Sequence, residues 1–149
     1  MAHVFCQLYY HVAWATKNRA PALIAELRPT LVETIEDKCR GLDCRLHAVN
    51  AVADHVHVAL EIPPARAVSA VVGQLKGASA HAMNQLQPGS VLWQDGYGVV
   101  TFRRAELAKV VSYVANQEER HRLNALSPML EIWYKPDAER AEQQNERRP

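Results

Sequence analysis

Two histidines one residue apart, His55 and His57, stand in the run Ala53-Asp54-His55-Val56-His57-Val58-Ala59-Leu60. Neutral imidazole is the commonest metal ligand among side chains and also an acid or base near neutral pH. On an extended strand, residues i and i+2 leave the same face about 7 Å apart, close enough to reach one ion. An isolated His-x-His fits a solvated sheet face equally well, and Asp54 fits either a ligand or a turn residue. A second pair, Tyr113 and Gln117, lies in Ser112-Tyr113-Val114-Ala115-Asn116-Gln117. Four-residue spacing on a helix puts phenol and carboxamide on one face. A phenol with a pKa near 10 is a weak nucleophile until a metal or base assists it. Two imidazoles and one amide oxygen form a mixed N/O set compatible with Mg2+ or Mn2+, provided waters or phosphate oxygens complete the shell. Taken alone, Tyr113 reads more simply as a residue at the edge of a packing face.

Lys76 and Ser79, in Gln74-Leu75-Lys76-Gly77-Ala78-Ser79, are of types that contact phosphates, although a solvated helix face explains them too. Lys17, Arg19, Arg103, Arg104, Lys109, Arg120 and Arg122 are scattered cations able to track a nucleic-acid backbone. The net charge is only +1, so any such binding must come from local patches and not a global field. Trp93, Tyr97 and Phe102 can stack on bases or simply pack. For Trp93, packing is the simpler expectation.

The elements that must position these residues follow from periodicity. Residues 3–15 alternate, with Val4, Cys6, Leu8, Tyr10, Val12 and Trp14 on one face and His3, Phe5, Gln7, Tyr9, His11 and Ala13 on the other, which predicts a long strand. Pro21 suits a helical first turn, and Leu23, Ile24, Leu27, Leu31 and Ile35 predict an amphipathic helix ending near Arg40-Gly41, with Gly41 as its C′ residue. Residues 43–51 and 55–62 read as an antiparallel hairpin, stopped by Pro63-Pro64. Helical spacing returns over 66–86, where Gly73 and Gly77 would admit a close backbone approach. A short strand over 99–102 follows, then a helix from about 104 to 122 with Leu107, Val110, Val111 and Val114 on its packing side and Leu123 as a candidate just past its end.

The order β-α-β-β-α-β plus a helix predicts an α+β fold: a ferredoxin-like (split βαβ) antiparallel sheet with helices on one face and a C-terminal helix carrying Tyr113. The helices should cover Val56, Val58, Leu60 and Ile62, leaving His55 and His57 on an open face with Gln7, Tyr9 and His11. At 149 residues the chain suits a single domain with its own core. Cys6, Cys39 and Cys44 are an odd count without CxxC spacing, which argues against a disulfide framework and suits a reducing compartment. The apolar run from Val4 to Ala15 lacks a basic flank and is too short to span a bilayer, so a cytoplasmic protein with no membrane contact is expected.

Five segments occur in a telling order: Tyr10-His11-Val12-Ala13-Trp14-Ala15-Thr16-Lys17-Asn18-Arg19, Asp54-His55-Val56-His57, Leu75-Lys76-Gly77-Ala78-Ser79, Trp93-Gln94-Asp95-Gly96-Tyr97-Gly98 and Tyr113-Val114-Ala115-Asn116-Gln117. Each is weak alone. Together, over roughly residues 8–120, they resemble the single-tyrosine HUH transposases of small bacterial insertion sequences, with REP-associated tyrosine transposases as close relatives. The resemblance implies an enzyme that cuts and rejoins single-stranded DNA beside hairpins. It implies that His55, His57 and Gln117 hold a divalent metal and that Tyr113 attacks to form a 5′-phosphotyrosine. It further implies a homodimer in which the tyrosine helix can serve the partner's histidine pair, and a bacterial enzyme at the nucleoid when bound to DNA. Lys76, Ser79, Lys17, Arg19, Arg103 and Arg104 are the candidate DNA contacts. The transposase domain is expected over residues 1–126, with 127–149 a partly flexible extension.

Ala53 stands where the family commonly has proline before the Asp-His-hydrophobic-His segment, with little consequence expected for metal binding. Three other readings remain open: a domesticated REP-associated nicking enzyme, a catalytically silent module that binds hairpin DNA, and a ferredoxin-like domain that binds something else. Intact Tyr113, His55, His57 and Gln117 argue against silence.

Overall fold

The structure is a computed structural model that describes residues 3–117. Its elements run β1 (Tyr9–Ala15), α1 (Arg28–Gly41), β2 (Arg45–Ala51), β3 (His55–Glu61), α2 (Val68–Leu86), β4 (Gly98–Phe102) and α3 (Leu107–Ala115), with 3-10 turns at Lys17–Arg19 and Arg104–Glu106. The four strands form one antiparallel sheet in the order β2-β3-β1-β4. That is the split βαβ arrangement expected from the element order.

The even positions of β1 and β3 hold the main core. Val12, Trp14, Val56, Val58, Leu60 and Ile62 pack under Leu31, Ile35 and Cys39 of α1 and Val71, Val72, Leu75 and Met83 of α2. The four-residue recurrence of Val71, Leu75, Ser79 and Met83 makes one buried stripe on α2. Each fully buried Val, Leu or Ile contributes about 1.5–3 kcal/mol, so this layer anchors the sheet that carries the histidines.

Several boundaries differ from the periodicity reading. β1 begins at Tyr9, not His3, and residues 3–7 are exposed. Tyr9 pairs with Glu61 and Phe102, the ends of the neighbouring strands, so among the described residues those before it have no ladder to join. Pro63 and Pro64 follow β3 and could not extend that ladder. The first helix begins at Arg28 instead of Pro21, because Pro29 fits the first turn but would break the interior of a longer helix. Leu23 and Leu27 still reach the core, from a loop in which the Leu23 amide donates to the Ala53 carbonyl. The left-handed residue after α1 is Asp43, not Gly41. Gly73 and Gly77 are exposed, and a Cβ at either would meet nothing within 4 Å, so they serve no close approach.

The largest difference concerns the second face of the sheet, which is covered and not open. α3 returns across it, and Val110 and Val114 pack on Ala59. His11, His55 and His57 are at most 2% exposed as a result. The expected continuation of this helix to 122, together with Arg120, Arg122, Leu123 and the domain boundary at 126, lies outside the described residues. Among the described residues, no helix is long and apolar enough to cross a membrane.

Candidate active site

The strand register sets the spacing of the site. On the face beneath α3, His11 stands opposite Ala59, Ala13 opposite His57 and Ala15 opposite His55. Each imidazole thus faces an alanine methyl and has room to lean toward its diagonal neighbour. The His55 and His57 rings lie 5.0 Å apart and edge-on at 73°, and the His57 and His11 rings are also 5.0 Å apart.

Second partners orient both rings of the pair. His55 Nδ1 is 2.7 Å from Asp54 Oδ1, and a carboxylate can only accept, so Nδ1 carries the proton and Nε2 keeps its lone pair. The other Asp54 oxygen accepts from Arg19 Nε at 2.9 Å. Burial alone would raise the Asp54 pKa, but the hydrogen bonds and charges of Arg19 and His55 outweigh it and hold the carboxyl below its ordinary value. Arg19 reaches this position from two consecutive left-handed residues, Asn18 and Arg19, at φ 55° and 54°. Such conformations cost non-glycine residues about 1–2 kcal/mol each and persist where surrounding contacts enforce them. His57 Nδ1 lies 2.8 Å from His11 Nε2.

α3 brings in the remaining groups. Tyr113 is 4% exposed, with its ring 6.2 Å from that of His57 and nearly perpendicular to it. Asn50, opposite His57 on β2, donates through Nδ2 to the Val114 and Ala115 carbonyls at 3.1 Å each and so ties down the end of α3. Gln117 is fully buried one turn beyond Tyr113, and its Nε2 lies 3.4 Å from the Tyr113 carbonyl. Its Oε1 has no hydrogen-bond partner among the described residues. An unmatched buried amide oxygen is costly unless something occupies it.

Among the described residues, no three His, Cys, Asp or Glu side chains form a metal-binding group. The atoms that could serve as ligands are the imidazoles of His55, through Nε2, and His57, and the unmatched amide oxygen of Gln117. That set fits a hard or borderline divalent ion that keeps open positions for oxygen ligands.

The predicted basic contacts separate into different places. Lys17 is exposed and Arg19 is engaged with Asp54, both at the His55 end of the sheet. Arg103 and Arg104 are exposed at the other end, beside Phe102. Lys76 donates to the Gln94 and Gly96 carbonyls at 2.8 and 2.9 Å and so fastens the loop before β4. Burial lowers its ammonium pKa, and Asp95 partly opposes the shift. Ser79 is fully buried and its hydroxyl donates to the Leu75 carbonyl at 2.7 Å, so it offers nothing to a ligand at the surface. The aromatics pack: Trp93 donates to the Lys76 carbonyl and meets Trp14 edge-on, Tyr97 lies against the main core, and Phe102 lies 5.7 Å from Tyr9.

His11 is the site residue that periodicity did not single out. Alternation puts it on the same face as Tyr9 and Ala13, but its contact with His57 depends on the β1–β3 register. The pairing of small residues with histidines, Ala13 with His57 and Ala59 with His11, is the signal that could have revealed it.

The sheet order and the helix placement are those of the tyrosine transposase fold. The chain belongs to the family described as "Transposase IS200 like", whose model matches residues 4–117. It is 30% identical over 131 residues to the transposase for insertion sequence element IS200 of Salmonella typhimurium, covering 83% of this chain and 85% of that protein. It is 29% identical over 121 residues to the ISDra2 transposase TnpA of Deinococcus radiodurans, covering 76% and 86%. A crystal structure of a candidate transposase from Deinococcus radiodurans R1 superposes with a TM-score of 0.63 at 30% identity, over 78% of this chain and 96% of that one. A REP-associated tyrosine transposase bound to a REP hairpin shares the fold at a TM-score of 0.58 and 15% identity, over 81% and 74%. By class the protein is therefore a transposase, a DNA-cleaving enzyme of DNA transposition.

Proposed function

We propose that this transposase cleaves and rejoins single-stranded DNA at hairpin-marked element ends, with Tyr113 as nucleophile and His55, His57 and Gln117 as ligands of Mg2+ or Mn2+. The observation that carries the proposal is the position of Tyr113, buried on α3 with its ring 6.2 Å from His57. The unmatched Oε1 of Gln117 supports the third ligand. Hairpin DNA as substrate class draws on the REP hairpin bound by the fold relative.

In this scheme the Tyr113 oxygen loses its proton and attacks the scissile phosphorus. The bond from phosphorus to the 3′-oxygen breaks, the 3′-oxygen takes up a proton, and a 5′-phosphotyrosine and a free 3′-OH result. A 3′-OH attacking the phosphotyrosine reverses the step and returns the phenol. The phosphodiester bond energy is kept in the covalent link, so no nucleotide cofactor is required. A divalent ion, when bound, offsets the charge that develops on the phosphoryl oxygens and the leaving 3′-oxygen. Asp54 holds the His55 ring, Asn50 holds the end of α3, and the sheet keeps both in fixed relation. Lys17 and, at the far end, Arg103 and Arg104 are the exposed cations that suit DNA backbone contacts; Arg19 acts instead through Asp54.

The test is a labelled single-stranded oligonucleotide carrying the element's own end hairpin, incubated with protein and Mg2+ and run on a denaturing gel. A protein–DNA adduct is expected, and it should vanish with EDTA and in Tyr113→Phe. Hairpin binding with no adduct under Mg2+ or Mn2+ would replace the enzyme with a silent binding module.

A further inference from the structure

We propose that His11 is a positioning residue for the metal site: its Nε2 accepts a hydrogen bond from His57 Nδ1 and thereby commits His57 Nε2 to the ion. This rests on His57 being a metal ligand, as proposed above. The two nitrogens are 2.8 Å apart, and both rings are buried, His11 at 2% and His57 at 0% exposure. At that distance one nitrogen must carry the proton, because two bare lone pairs would repel.

A neutral imidazole has one N–H, so the direction of this bond decides which His57 nitrogen can bind metal. If His57 donates from Nδ1, its Nε2 keeps the lone pair and can ligate. If His11 donates instead, neutral His57 holds its proton on Nε2 and cannot. His55 has no such choice, since its partner Asp54 can only accept. Ligating histidines generally give their second N–H to an acceptor that fixes tautomer and ring orientation. Here the two ligands have acceptors of different kinds: a carboxylate anchored by Arg19, and a neutral imidazole.

Location explains the difference. Asp54 is in the turn at the sheet's end and a quarter exposed, where a charge is affordable in solvation terms. His11 lies on β1, one of the two inner strands, opposite Ala59 and on the face that Val110 and Val114 cover. An ionised carboxylate there would lose its hydration, whereas an imidazole supplies an acceptor with no net charge. Ala13, directly opposite His57, leaves the space through which the two rings meet.

The experiment measures Mn2+ affinity of the DNA-free protein by electron paramagnetic resonance, with thermal melting of the metal-free protein alongside. His11→Gln retains an amide group near the Nε2 position. His11→Asn stops short of it, and His11→Leu and His11→Phe offer no acceptor at all. The proposal expects Asn, Leu and Phe to weaken Mn2+ binding by about 10- to 100-fold and Gln to stay within a few-fold of wild type. If the apolar variants melt far below wild type, the Gln–Asn contrast decides alone. Equal affinities in all four variants, or a loss with Gln as large as with Asn, would overturn the proposal. His57→Ala separates the two layers: if it binds Mn2+ like wild type, the metal reading of His57 fails and the role of His11 with it. If His57→Ala loses binding while His11→Asn and His11→Leu keep it, only the His11 proposal fails.

Discussion

Asp54 touches two different partners with its two oxygens, and that makes it a pH-sensitive element of the native state. Its carboxyl pKa is lowered because Arg19 and His55 hydrogen bonds outweigh the cost of burial. A depressed native pKa contributes stability above the unfolded Asp value of about 3.9 and loses it as pH falls through the native value. Urea-denaturation stability of wild type should therefore drop between pH 5 and pH 2 more steeply than that of Asp54→Asn. Superimposable slopes would remove Asp54 from the native network. Spacing sets His55 with His57 on one strand face and Tyr113 with Gln117 on one helix face, because both periods act within single elements. It leaves a solvated face and a packing edge equally open, and only the family resemblance gives these residues roles. Arg19 was legible only as a cation. Its contact with Asp54 depends on two left-handed residues at Asn18 and Arg19, which no hydrophobic period encodes.

At the scale of elements, α3 decides what the sheet's second face is. Its packing side was readable from Leu107, Val110, Val111 and Val114, but a helix's own pattern does not say which surface receives it. The histidine face looked polar and hence open; Ala59 and the methyl groups of Val110 and Val114 make part of it apolar enough to be covered. Asn50 then fastens the last turn of α3 by donating to the Val114 and Ala115 carbonyls at 3.1 Å each. Asn50→Ala should destabilise the protein by about 1–2 kcal/mol in urea titrations and speed amide exchange in α3 more than in α1. Exchange in α3 unchanged from wild type would show that its end is held by other contacts. The strand boundaries failed for a related reason: alternation in residues 3–8 is intact, yet neighbouring strands end at Glu61 and Phe102.

For the molecule as a whole, the division of cysteines follows the same layering. Burial, with a smaller contribution from Cys44, pushes the Cys39 thiol up to about 12, while Cys6 is exposed ahead of β1. Iodoacetamide at pH 8 should label Cys6 in the native protein, and Cys39 and Cys44 only after denaturation, as read by mass spectrometry. Native labelling of Cys39 as fast as Cys6 would contradict the packing of α1. The Tyr113 and His57 rings lie 6.2 Å apart within one chain, so the proposed function predicts assembly in cis. Mixing Tyr113→Phe with His57→Ala should then leave adduct formation absent, whereas restored adduct would mean that helices are shared between subunits. The most direct measurement is peptide mapping of the covalent adduct formed with a 3′-labelled hairpin oligonucleotide. The label should remain on the peptide containing Tyr113 through a 5′-phosphate, while the fragment released carries a 3′-OH. Attachment to any other residue, or through a 3′-phosphate, would contradict Tyr113 as the nucleophile.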